Sequence, residues 1–189
     1  MDFGIGTILL ILLVLVAGYA IVTYNGLVRA RQLVREAWSG IDVQLKRRAD
    51  LIPNLIETVK GYAAHERGTF EDVTELRARA QSLPAGDVAR PAQVEGKLSQ
   101  ALGRLLAVAE AYPDLKANQN FMQLQTTLET LEGEIQMSRR YYNGAARDLN
   151  IKVESFPSNL VAGAFGFEKA EYFEIENPED RVVPKVSFS

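Results

Sequence analysis

Apolar residues along this chain form one unbroken block and then a series of stripes with helical period. The block is FGIGTILLILLVLVAGYAIV, residues 3–22, and it carries no charge. At about 1.5 Å per residue such a helix is roughly 30 Å long, the thickness of a bilayer's hydrocarbon core. A cleaved signal peptide is the rival reading, with Gly18 and Ala20 as small residues for a cleavage site. Only Met1 and Asp2 precede the apolar run, so the basic leader region of a signal peptide is missing. The pattern predicts a retained transmembrane helix.

Beyond the block, Tyr24, Leu27, Val34, Trp38, Ile41, Leu45 and Ile52 recur at spacings of three and four, with Arg31 and Arg48 on the same heptad positions. The stripe continues through Leu55, Val59, Tyr62, Val73, Leu76 and Ala80. SLPAGDVARPAQ, residues 82–93, predicts a loop by its prolines, glycine and small residues. Val94, Leu98, Ala101, Leu105, Val108 and Tyr112 mark another helix, and YPDLKANQ, residues 112–119, a turn. Phe121, Leu124, Leu128, Leu131, Ile135, Ser138, Tyr142, Ala145, Leu149 and Phe156 keep the same spacing up to Pro157. No segment before residue 157 alternates with period two.

The class is therefore all-α: an N-terminal transmembrane helix followed by long helices with short loops, which pack as an antiparallel, up-and-down bundle. The expected divisions are an anchor at 1–23, a bundle at 24–156 and an apolar, then acidic, C-terminal segment at 157–189.

Pro53 sets two expectations against each other. The positions 45, 48, 52, 55 and 59 pass through it without a phase slip, which favours one kinked helix. An interior proline costs about 3 kcal/mol, whereas in a first turn it is harmless, and Asp50 is a suitable N-cap for a new helix. A hairpin there would bring the end of the last helix back to the bilayer. Phe156, Phe165, Phe167, Tyr172 and Phe173 would then lie beside the headgroups, where aromatic residues are favoured. Without the hairpin they would sit at the distal pole.

Charge and composition mostly narrow the chemistry. The net charge is −3, and basic residues are interleaved with acids, so no nucleic-acid partner is expected. There is no cysteine, which excludes disulfides and thiolate chemistry. His65 is the only histidine, and Thr69 stands where a zinc HExxH motif needs its second one. Glu129 and Glu132 resemble half of a carboxylate metal site, but one histidine cannot complete it. No cofactor, metal or catalytic residue is expected.

Lys46, Arg47 and Arg48 form a run of cations. On a straight helix Lys46 lies about 36 Å beyond Val22, outside the roughly 8–10 Å reach of a lipid surface potential. Lys46 is expected in a solvated ladder with Asp42 and Asp50, Arg47 on the outer face, and Arg48 at the end of the apolar stripe, reaching water. An acidic partner that reads Arg47 and Arg48 is the alternative. Arg29, Arg31 and Arg35 follow the apolar block, which by the positive-inside rule keeps the large C-terminal part in the cytoplasm.

Four blocks carry a resemblance. YNGLVRARQLVREAWSGIDVQLKRRADLIPNLIETVKGYAAHE (24–66), YPDLKANQNFMQLQ (112–125), RRYYNGAARDLN (139–150) and FPSNLVAGAFGF (156–167) are similar, in order, to segments of the LemA family of bacterial membrane proteins. The resemblance implies a single-pass protein with an antiparallel four-helix domain. It favours the hairpin at Pro53, because residues 94–112 and 119–156 supply only two of four helices. It implies no catalytic residues. The resemblance brings in one relative that takes part in building magnetosome membranes and family members that often accompany a membrane metalloprotease, which implies organisation of membranes or membrane proteins.

The expected function is a non-enzymatic membrane-anchored scaffold that self-associates, with Phe156, Phe165, Phe167, Tyr172 and Phe173 as its interaction surface. The alternative is an adaptor or regulator of a membrane protease or envelope-stress pathway, with Arg47, Arg48, Asp50 and Pro53 as its corner. Membrane lipid, a second copy of the chain and a membrane-protein partner are the expected partners.

Overall fold

A computed structural model describes residues 4–63, 65–83 and 88–174. All regular structure among them is helical: α1 Ile5–Lys60, α2 Arg67–Ser82, α3 Ala89–Glu110, α4 Pro113–Lys116, α5 Gln119–Glu154 and α6 Ser158–Ala164. The period-3.6 stripes and the absence of period-two segments account for this class. α3 starts inside the expected loop, because Pro91 falls in its first turn, where a missing N–H costs nothing. The expected loop 84–87 and the tail beyond Glu174 lie outside the described residues.

α1 corrects the expected hairpin. It runs 56 residues without a break, with Pro53 inside it. The chain instead turns after Lys60, where Gly61 follows the helix. The proline is tolerated for a local reason. Having no N–H, it leaves the carbonyl four residues back, that of Ala49, without its helical donor. Arg77 of α2 donates from Nε to that carbonyl at 2.8 Å. A side chain of the neighbouring helix thus replaces the lost backbone bond, and the heptad continues through Pro53.

The chain divides into two compact units, one formed by residues up to Gly40 with Ser138–Tyr172, the other by Ile41–Met137 with Phe173. In the second unit α1, α2, α3 and α5 alternate in direction. Lys60 and Ala49 of α1 meet Phe70 and Arg77 of α2 in reversed order. Arg104 of α3 reaches Asp72 of α2 at 3.4 Å, while Arg48 and the following Tyr62 meet Glu132 and Asn118 at α5. The core between them holds Ile52, Leu55, Val59, Phe70, Val73, Leu98, Leu105, Leu115, Phe121 and Leu128, all buried.

In the first unit α1 and α5 again run antiparallel, with Trp38 edge-on to Tyr142 at 5.6 Å and Leu27 packed with Leu149. α6 closes this pair by burying Val161 and Ala162. Its end is a Schellman turn: Gly166 adopts φ 66°, and the N–H of Phe167 donates to the carbonyl of Ala162 at 2.9 Å. The left-handed residue sends Phe167 back into the core beside Ala162. Asn150 fixes the next segment, accepting from the Ala170 N–H at 2.8 Å and donating to its carbonyl at 2.9 Å.

Candidate functional site

The first part of α1 is the apolar block. Its most apolar 18-residue window has a mean hydropathy of 2.8 and is 0% buried. It is long and apolar enough to cross a membrane. Tyr24 stands two positions beyond the block, and the rings of Phe165 and Phe167 approach it edge-on at 4.9 and 5.7 Å. Arg31 lies over Phe167 with 4.8 Å from its guanidinium carbon to the ring centre. The Lys152 ammonium lies over Gly26, 3.9 Å from where a side chain there would begin. Lys169 and Glu154 close an exposed ion pair at 2.8 Å.

The aromatic residues expected to form one surface separate here. Phe156 and Phe165 are 78% and 60% exposed, and Leu160, not foreseen, is 64% exposed. Tyr172 is partly open. Phe167 and Phe173 are buried, which corrects their assignment to an open surface. The Schellman turn explains Phe167: Gly166 reverses the backbone and seats the ring against α1. The expectation that a straight first helix would send these aromatics to the distal pole is also corrected. The reversal comes at 61–66 instead of Pro53, and α5 returns alongside α1 as far as Gly26.

The cation run also separates. Lys46 and Arg47 are exposed, and Arg47 reaches Gln44 at 3.4 Å. Lys46 forms no ion pair among the described residues, so the expected ladder with Asp42 and Asp50 is absent. Arg48 is 1% exposed, so it does not reach water as expected. Its NH2 donates to Glu95 in a very short contact, and its NH1 donates to Glu132 and to the Ser99 hydroxyl, each at 2.7 Å. Glu95 is itself buried, and desolvation raises its pKa despite the opposing pull of Arg48. Nε of Arg48 is buried with no hydrogen-bond partner among the described residues.

This cluster was missed as a cluster, yet the sequence carries a signal for it. Glu95 precedes Leu98, Leu102, Leu105 and Ala109 at spacings of three and four, all of them buried. A carboxylate on one apolar stripe and an arginine on another are natural partners. Asp50 is exposed and caps nothing, since α1 does not begin there. His65 is exposed, and no group of three His, Asp or Glu among the described residues is placed to hold a metal.

A groove of about 750 Å³ runs between α1 and α5 in the second unit, lined by Leu51, Met122, Leu131, Thr126, Thr127 and Thr130 with Arg47, Asp50 and Glu134 at the polar positions. The threonine hydroxyls donate to carbonyls four residues back, those of Met122, Gln123 and Thr126, at 2.7–2.9 Å. Their polar atoms are satisfied by their own helix, so the lining is more apolar than its sequence reads.

Known proteins bear on these features. The chain is 28% identical over 175 residues to Magnetosome protein MamQ 2 of Paramagnetospirillum magneticum, covering 80% of this chain and 64% of that protein. It is 30% identical over 138 residues to Protein LemA of Metamycoplasma hominis, covering 73% and 63%. It is 24% identical over 174 residues to Magnetosome protein MamQ of Magnetospirillum gryphiswaldense, covering 79% and 64%. The chain thus spans a little under two thirds of the length of these relatives. The LemA family model matches residues 37–188, from Trp38's helix through the bundle, the buried cluster and α6. With that match over most of its length, this chain belongs to the LemA family.

Proposed function

We propose that this protein is a membrane-anchored helical scaffold that self-associates to organise a membrane or membrane proteins, and that it has no catalytic role of its own. The observation that carries the reading is α1. Its apolar block is wholly unburied by the protein, and the same helix then continues to Lys60 as a wall of the bundle. An uncovered apolar helix of that length is stable in lipid and not in water. The anchor is single-pass, and Arg29, Arg31 and Arg35 hold the bundle on the cytoplasmic side of an inner membrane. The buried ionisable groups support a structural role, because the Arg48 guanidinium is spent on Glu95 and Glu132 within the bundle. The magnetosome relatives are compatible with work at a membrane. Mass photometry of the full chain in mild detergent is expected to give one defined oligomer. A monomer at every concentration would remove self-association from the reading.

A second reading is an adaptor that receives an acidic partner segment through Arg47, beside the groove between α1 and α5 that Asp50 and Glu134 also line. Arg47 stands at its edge, whereas Arg48 is committed to the interior and cannot take part. Arg47→Glu is expected to abolish co-purification of such a partner with helical CD unchanged; undiminished co-purification would exclude it.

A further inference from the structure

We infer that the α6 corner is a second membrane-embedded element, with Phe156, Leu160 and Phe165 inserted in the interfacial layer of the leaflet that α1 leaves. The inference rests on the proposed anchoring of α1 and adds a site to it. Residues 155–167 contain no charged side chain. Val161 and Ala162 face the protein and are buried, while Phe156, Leu160 and Phe165 remain 78%, 64% and 60% exposed. Single exposed apolar residues are ordinary, but three large ones within the charge-free residues 155–167 mark a surface that is covered by something.

What covers it follows from where it lies. Phe165 touches Tyr24 at 4.9 Å, and Tyr24 is two residues, about 3 Å of helix rise, past the end of the apolar block at Val22. The interfacial layer on each side of the hydrocarbon core is about 5–8 Å thick, so Tyr24 and Phe165 fall within it. Aromatic rings favour that layer. The Lys152 ammonium over Gly26, about 6 Å past Val22, is a cation suited to phosphates in that layer. Glu154 is offset by Lys169. The occupant is therefore lipid, continuous with the lipid that covers α1. Because apolar insertion carries the contact, high salt is not expected to release it.

The chain has one tryptophan, Trp38, which makes fluorescence a direct test. In a full-length Trp38→Phe background, Phe156→Trp, Phe165→Trp and the control Tyr19→Trp are placed one at a time in lipid vesicles containing a quencher near the headgroup. The Phe156→Trp and Phe165→Trp variants are expected to lose about half of their emission, as the Tyr19→Trp control does, with no recovery in 1 M salt. Strong quenching of the control with none at positions 156 and 165 would overturn the inference and leave the anchor intact. Absence of quenching at all three would overturn the anchor itself. Quenching at 156 and 165 that appears only when the protein is diluted in excess lipid would show a second copy on the patch, which also overturns it.

Discussion

A guanidinium that is 1% exposed must find its counter-charges inside the protein, and Arg48 finds them in Glu95 and Glu132. Breaking such a set by removing the cation leaves the buried Glu95 carboxylate facing Glu132 with no counter-charge between them. Arg48→Met is expected to lower the stability of the bundle by about 3–5 kcal/mol at neutral pH, read from urea unfolding. Adding Glu95→Leu should recover most of that loss, because the remaining Glu132 is partly solvated. Glu95 also predicts a pH dependence. Its folded-state pKa is raised above the ordinary 4.5, with burial as the main cause. As pH rises from that value through the raised one, the folded protein holds a proton that the unfolded chain has released. Stability from this group is therefore greatest at low pH and falls across that window. The unfolding midpoint of Glu95→Gln, compared with the parent from pH 4 upward, should lack this decline; parallel curves would contradict it.

At the scale of elements, the length of α1 turns on one proline and one arginine. The phase of positions 45, 48, 52, 55 and 59 made the continuous helix legible in the sequence, and Gly61 was the stop that a turn near Asp50 lacked. Propensity pointed the other way because an interior proline is costly alone. Its compensation, Arg77 donating to the Ala49 carbonyl, depends on how α2 packs against α1, and no local pattern reveals that register. Arg77→Met should cost about 1–2 kcal/mol, and much less in a Pro53→Ala background, where residue 53 regains its own N–H. Equal losses in both backgrounds would mean that the arginine does not serve the proline. α5 was readable almost to the residue, since its stripe was unbroken up to Pro157. α6 was not. A seven-residue helix has too few turns to show a period, and the exposure of Phe165 against the burial of Phe167 is decided by the left-handed turn at Gly166.

At the scale of the whole molecule, the all-α class followed from periodicity, while the placement of the aromatic segment did not. That placement depends on chain reversals, and one misplaced turn moves every later residue. What remains is a chain whose apolar block is uncovered and whose buried arginine is held by two carboxylates. Its central claim is that the start of α1 lies in a bilayer and the rest of that helix does not. The protein has no cysteine, so single cysteines introduced along α1 report without background. Ile8, Val14, Tyr19, Arg29, Glu36 and Val43 would each be replaced in the full chain in bacterial membranes, then treated with a membrane-impermeant thiol reagent. Cysteines at 8, 14 and 19 are expected to resist labelling, and those at 29, 36 and 43 to react only once the cytoplasmic face is opened. Labelling of 8, 14 and 19 as fast as of 43 in intact membranes would contradict the anchor.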